Sequence, residues 1–300
     1  MKHNIYDDLT VVIVSMNRTD HLLANLKHMD TIDEIRNVIV VDWNSIPKIS
    51  INQTIKNTNI KIYRVSNENS WWLTKSYNLG FELANSKFVL KLDADALLDQ
   101  KKLEEIKYLD YDIAFLSSDK ENKKIDMGNF VIKKEIFMHV NGFNEFIWGW
   151  GYDEIDLFRR IRRNMIDEVV IYNGVKKFDH DLSRSIESQS FQGLNKDIYF
   201  KSLLMAQAAS NEIVANSIVW DTQYKRNYEI LNDKVKINHN FSPKNLSRFL
   251  RIMRKYKFVS VFLSFSLREK NYLYKILLSF YITLRSEKYF RKYFLRALYP

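Results

Sequence analysis

The sequence contains no cysteine. Disulfides and thiolate metal sites are therefore excluded, which fits a reducing compartment. Glycine (7) and proline (3) are scarce among 300 residues, so composition says little about where the loops fall. Neither Gly-x-Gly-x-x-Gly nor Gly-x-x-x-x-Gly-Lys follows the first apolar run. A dinucleotide-binding fold and a P-loop ATPase are thus disfavoured. No apolar stretch reaches the roughly 18–20 residues needed to cross a bilayer. The opening Met1–Asp8 is polar and shows no signal-peptide pattern. Internal repeats and low-complexity linkers are also missing.

The chain has 46% hydrophobic residues, enough for a real core, and its length suits one large domain or one domain with an appendage. Its net charge of +10 is unevenly placed. Residues 241–300 hold 14 Lys/Arg and 2 Asp/Glu, a balance of +12. The first 240 hold 32 basic and 34 acidic side chains, a balance of −2. Two parts with different tasks are expected, 1–235 and 236–300.

Short β-branched runs predict strands at Leu9–Ser15, Val38–Asp42, Ile60–Val65, Lys87–Leu92 and Ile113–Leu116. Apolar spacing predicts helices over His21–Met29, Ser76–Ala84 and Leu103–Leu109. Strands alternating with helices, with acids at strand ends, imply an α/β fold whose ligands bind at the C-terminal rim of a mostly parallel sheet.

Three acids mark that rim. Asp93 and Asp95 leave the fourth strand one residue apart, and two such carboxylates suit Mg²⁺ or Mn²⁺, or a solvated turn. Asp42 ends the second strand, where it would face a nucleobase or ribose, or close an Asx-turn over Asn44 and Ser45. His180, flanked by Asp179 and Asp181, is a candidate third metal ligand or a surface histidine. Arg18 and Lys75 are candidate diphosphate or base contacts, and Trp71 and Trp72 are core or a stacking wall.

The densest signal is Phe146-Ile-Trp-Gly-Trp-Gly-Tyr-Asp-Glu-Ile-Asp156. Glycine permits positive φ and close ligand approach. Trp148 and Trp150 offer flat faces, while Asp153, Glu154 and Asp156 precede a helical pattern. Carboxylates there favour the helix dipole and can act as a base. Either a capped turn or a pocket with an aromatic floor fits this run.

Four segments carry a resemblance. Val11–Thr19 resembles the nucleotide-binding first strand and loop of GT-A glycosyltransferases of the family-2 group. Val40–Ser45 resembles the segment whose aspartate contacts the base, and Leu92–Asp95 resembles the metal-binding Asp-x-Asp. Gly128–Phe137 through Asn141–Asp156 is similar to the acceptor and catalytic segment of β-1,4-galactosyltransferases and bacterial chondroitin-type polymerases. The resemblance covers about residues 8–185. It implies a GT-A fold, to which the charge and apolar pattern after residue 236 adds a C-terminal basic helical extension. Its activity would be metal-dependent transfer of a hexose or N-acetylhexosamine from a nucleotide sugar, UDP by resemblance, to a glycan or lipid-linked acceptor in bacterial surface polysaccharide synthesis.

Residue by residue, the resemblance implies metal ligands Asp93, Asp95 and His180 for Mn²⁺ or Mg²⁺. Donor contacts would come from Arg18, Asp42, Lys75, Asp93 and Asp95, and acceptor contacts from Asn129, Trp148, Trp150 and Gly151. The galactosyltransferase pattern Gly-Trp-Gly-Gly-Glu-Asp-Asp-Asp reads here Gly149-Trp-Gly-Tyr-Asp-Glu-Ile-Asp156. Tyr152 thus replaces a glycine, and the acid pair is swapped. Register places Glu154 on the catalytic acid, with Asp153 as the alternative base. Inversion is expected from direct displacement. A retaining transferase, a non-catalytic sugar-nucleotide module and a sugar-phosphate nucleotidyltransferase are the alternatives, the last short of its glycine-rich loop.

In residues 241–300, Lys and Arg interleave with Phe, Tyr and Leu. This pattern suits an interfacial helix on an anionic membrane surface, with a packed helical subdomain as the plainer reading. No recognition motif supports nucleic acid as a partner. The expected location is cytoplasmic, peripheral on the inner face of the cell membrane.

Overall fold

The computed structural model describes residues 8–51, 55–56, 58–68, 71–118, 125–147, 149, 151–178, 208, 211–212, 214–216 and 219–238. The strands are β1 (Leu9–Ser15), β2 (Asn37–Trp43), β3 (Asn59–Val65), β4 (Phe88–Asp93), β5 (Ala96–Leu98), β6 (Ile113–Ser117), β7 (Phe130–Lys133), β8 (Glu168–Tyr172), β9 (Val175–Lys177), β10 (Tyr228–Leu231) and β11 (Lys234–Ile237). The helices are α1 (Thr19–Met29), α2 (Leu73–Leu83), α3 (Gln100–Ile106), α4 (Lys134–His139) and α5 (Asp153–Ile161).

A nine-stranded sheet runs in the order β10-β11-β3-β2-β1-β4-β7-β6-β8, and β5 pairs with β9 in a small second sheet. Strands β3, β2, β1 and β4 are mutually parallel. Strand β7 runs antiparallel to both of its neighbours, β4 and β6.

Every residue of β1 is buried, as expected of a strand covered on both faces. Side-chain alternation divides the core. Val11, Ile13, Val40 and Leu90 pack on one face beneath Leu22 and Leu26 of α1 and Leu103 of α3. Val12, Val14, Val41 and Val89 pack on the other beneath Phe81 of α2, Phe137 of α4, and Leu157 and Phe158 of α5. The rings of Phe115 and Phe130 meet Phe158 edge-on at 4.8 and 5.0 Å. Helix α2 lies so close to β1 that a Cβ on Gly80 would collide with Val12 Cγ1.

The five expected strands appear with ends shifted by at most one residue. The helix expected at 103–109 instead begins at Gln100, because the Asp99 side chain accepts from the Lys102 N–H (3.1 Å) and caps it. Trp72 is core, and Trp71 is half-buried.

Residues 219–238 fold back onto the sheet. Arg226 pairs with Glu82 (2.8 Å) and Glu145 (3.0 Å), Trp220 Nε1 donates to the Asn141 carbonyl (2.8 Å), and β11 joins β3. The sheet therefore runs to Ile237, past the boundary expected after residue 235. Residues 239–300, which hold the basic extension, lie outside the described residues. Among the described residues, no helix is long and apolar enough to cross a membrane.

Candidate active site

Parallel pairing of β1 to β4 brings the strand ends to one rim. Register sets Ser15 beside Asp42, Asp42 beside Arg64, and Val14 beside Asp93. Both expected donor-side acids, Asp42 and Asp93, are on this rim, followed by Asp95.

The turn that carries Asp93 and Asp95 is fixed from three sides. Asn25 of α1 donates its amide to the Asp93 carbonyl (3.2 Å) and the Ala96 carbonyl (2.8 Å). The Asp93 N–H donates to Asn129 Oδ1 (2.8 Å). Across the small sheet, the Phe178 N–H donates to the Asp95 carbonyl (2.8 Å).

Each rim carboxylate meets a cation. Arg18 Nη1 lies 3.0 Å from Asp95 Oδ2. Lys91, two residues before Asp93 and on the same strand face, places Nζ 3.0 Å from Asp93 Oδ1 and 3.5 Å from Glu154 Oε1. It also donates to the Gly128 carbonyl. Lys91 is fully buried, with Nζ 4.4 Å from the centre of the Tyr77 ring. Burial alone would lower its pKa, but Asp93, Tyr77 and Glu154 together hold it well above the ordinary lysine value. The Tyr77 hydroxyl is shared between the Leu92 carbonyl (3.1 Å) and Asp93 Oδ1 (3.2 Å).

The acid pair divides by environment. Asp153 opens α5 and is buried, while the Glu154 side chain keeps 24% of its surface. Burial pushes the Asp153 carboxyl well above its ordinary pKa, and its hydrogen-bonded neighbour Glu154 adds to the rise. Glu154 is thus the open acid of the pair, facing Lys91.

Glycine's freedom matters in the turn before α5. Gly149, Gly151 and Tyr152 all have positive φ (74°, 90° and 70°), conformations that residues with a Cβ rarely adopt. Asn211 Nδ2 anchors the Gly151 carbonyl (2.8 Å). Helix α2 holds the approach to this turn through Thr74 Oγ1 to the Ile147 carbonyl (3.0 Å), Trp72 Nε1 to the Glu145 carbonyl (3.2 Å), and Asn78 Nδ2 to the Phe143 carbonyl (2.9 Å). Trp148, Trp150 and His180 lie outside the described residues.

Asp42 is wholly buried. It accepts from the Ser45 N–H (2.9 Å) and from Arg64, which also reaches Asn44 Oδ1 and the Ser45 carbonyl (both 3.1 Å). This is the turn-closing arrangement, and direct contact with a base would require Arg64 to move. Lys75 lies over the Trp72 ring (3.8 Å). Burial draws its pKa down to about 8, against the opposing charges of Glu145 and Glu68.

The sequence does not single out Lys91, Arg64, Asp126 or Lys177. A period-2 signal exists for Lys91, which must share a strand face with Asp93. Arg64 ends a predicted strand on the same rim. For Asp126 and Lys177 no local signal exists, since they meet only across the fold.

The donor set suits a hard divalent cation. Asp93 and Asp95 supply carboxylate oxygens, and a Cβ built on Gly128 would lie 3.3 Å from Asp93 Oδ2, so the glycine lets the backbone pack closely against that carboxylate. No cluster of three metal-type side chains occurs among the described residues.

Comparisons with known proteins agree with this architecture. Residues 10–116 match the family model described as Glycosyltransferase like family 2, and residues 111–186 match the model described as N-terminal domain of galactosyltransferase. No curated protein matches the sequence. Among solved structures, a mutant of Drosophila β1,4-galactosyltransferase 7 in complex with manganese, UDP-Gal and xylobiose is 13% identical. The match covers 81% of this chain and 98% of that one, with a TM-score of 0.51. The catalytic domain of that Drosophila enzyme with xylobiose gives 12%, 80%, 98% and 0.49, and S. aureus TarS 1-349 gives 12%, 79%, 98% and 0.43.

The fold is thus the GT-A fold expected from the sequence. Both matched segments are glycosyltransferase domains, and the chain is an enzyme of the glycosyltransferase class.

Proposed function

We propose that this chain moves a hexose or N-acetylhexosamine from a nucleotide sugar, with UDP as carrier, to a hydroxyl of a glycan or lipid-linked saccharide, inverting the anomeric centre. The observation that carries this reading is Lys91, whose one ammonium joins Asp93 on the donor side to Glu154 on the acceptor side. Support for the donor comes from the Drosophila structure, which holds manganese, UDP-Gal and xylobiose on the same fold.

In this scheme Asp93 and Asp95, with His180, hold Mn²⁺ or Mg²⁺. The ion would supply positive charge against the leaving diphosphate. Arg18, already at Asp95, adds a fixed cation on the donor side. Asp42 and Arg64 hold the Asn44–Ser45 loop that borders the nucleoside, and Lys75 acts from its seat on Trp72. Glu154 accepts the acceptor hydroxyl's proton as that oxygen bonds to the anomeric carbon. The anomeric C–O bond breaks, and its electron pair leaves with the nucleoside diphosphate. Burial beside Glu154 favours the neutral form of Asp153, which limits the charge the pair carries. Trp148, Trp150, Gly151 and Asn129 form the acceptor side, with Asn129 acting through its bond to the Asp93 N–H.

The test is nucleotide release and sugar transfer from a donor panel with Mn²⁺ and saccharide acceptors. Wild type is expected to turn over, and Glu154→Gln and Asp95→Asn to lose at least about 100-fold. Full transfer by both variants would overturn the scheme. Donor binding without turnover on any acceptor would favour a non-catalytic module.

We further assign residues 241–300 to an anionic membrane surface on the cytoplasmic face, on the strength of their charge and aromatic content. In liposome pelleting, binding should require anionic lipid and weaken with salt. Equal pelleting with neutral lipid at high salt would refute that assignment.

A further inference from the structure

We infer that Lys177 is a positioning residue that sets the divalent-cation affinity of the Asp93–Asp95 rim, by placing a fixed positive charge among the same acids. The inference rests on the metal-dependent reading above. Lys177 ends β9 and pairs in register with Ala96, the residue after Asp95. Backbone pairing therefore fixes Lys177 beside the turn. Its Nζ lies 2.7 Å from Asp126 Oδ2.

Asp126 belongs to the same neighbourhood. A Cβ built on Gly128 would lie 3.2 Å from Asp126 Oδ1 and 3.3 Å from Asp93 Oδ2, so the two carboxylates flank the same glycine. Asp126 also accepts from the Ser118 hydroxyl (3.0 Å) and the Gly128 N–H (3.1 Å), which hold it in place. The charges facing Lys177 are Asp126, Asp93 and Asp95. Lys91 and Arg18 are the other cations on these acids.

A cation entering between Asp93 and Asp95 meets acids whose charge is already partly balanced by Lys177. Repulsion between an ammonium and a divalent ion across a partly hydrated rim amounts to about tenfold in affinity. Asp126 moderates this by drawing the ammonium to its own side. The three acids and Lys177 thus form a tuned set, in which the strand-end pair binds the ion and the Asp126–Lys177 pair limits how tightly.

The experiment is Mn²⁺ binding to the full chain without donor, measured by electron paramagnetic resonance and calorimetry. The proteins are wild type, Lys177→Leu, Lys177→Arg, Asp126→Asn and Asp95→Asn. Leucine offers no donor atom, so any gain in affinity reports lost repulsion. Lys177→Leu should tighten Mn²⁺ about tenfold, and Lys177→Arg should bind as wild type does. Asp126→Asn should weaken binding, because Lys177 then has only Asp93 and Asp95 as partners. Circular dichroism checks that each variant is folded. Equal or weaker binding by folded Lys177→Leu overturns the inference and leaves the transferase reading standing. Binding that survives unchanged in Asp95→Asn, or saturable binding in none of the proteins, overturns both.

Discussion

Replacing Lys91 by methionine tests whether the rim depends on one buried charge. Methionine keeps most of the stem's packing against Tyr77 and Phe130 but removes the ammonium. Without it, Asp93 at 3.0 Å, Glu154 at 3.5 Å and the Gly128 carbonyl each lack their cationic partner. Removing one partner of a buried ion pair costs about 3–5 kcal/mol. Here the carboxylate side chains keep 28% and 24% of their surface and can be partly rehydrated, so the lower end, about 3 kcal/mol, applies. For a domain of this size that corresponds to a fall in Tm of about 6–12 °C, measured by calorimetry. Repulsion between Asp93 and Glu154 would also displace the acid facing the acceptor. A misplacement of that kind costs on the order of 100-fold in turnover. If Lys91→Met melts within about 2 °C of wild type and turns over normally, the ammonium is not what holds the rim together.

Three further outcomes follow from the same geometry. Asp153 has its carboxyl pKa raised by burial and by Glu154, so its stabilising contribution is full below about pH 3.9 and is lost as pH rises toward the folded value. Asp153→Asn, which mimics the neutral acid, should gain stability relative to wild type between pH 4 and pH 8 in urea titrations. A constant difference across that range would refute the assignment. Gly151→Ala should cost about 1–3 kcal/mol, because φ is 90° and the new Cβ would lie 2.8 Å from Ala208 Cβ, and denaturant melts will show it. Arg226→Met removes the cation shared by Glu82 and Glu145 and should cost about 3 kcal/mol, with faster proteolysis within 219–238 as the readout.

Much of the fold and part of the site were legible in the sequence. Buried parallel strands favour near-continuous apolar runs, so β1, β2, β4 and β6 announce themselves, while the less buried β3 shows as alternation. Strands β7, β10 and β11 are four residues long, too short for a period to register. Helix α3 starts early because a side-chain cap, rather than apolar spacing, sets its end.

The sequence by itself determined that Asp42, Asp93 and Asp95 lie at the C-terminal rim of one α/β sheet, and that a tryptophan-glycine turn precedes a helix opening with acids. These are local facts, set by strand period, turn chemistry and helix starts. Only the tertiary structure decided which acid of the swapped pair is open, since Asp153 and Glu154 differ by their surroundings more than by their chemistry. The fold also sealed Asp42 under Arg64, joined Asp93 to Glu154 through Lys91, and brought Lys177 to Asp126. Each depends on strand order and register, which place residues far apart in the chain within hydrogen-bonding distance.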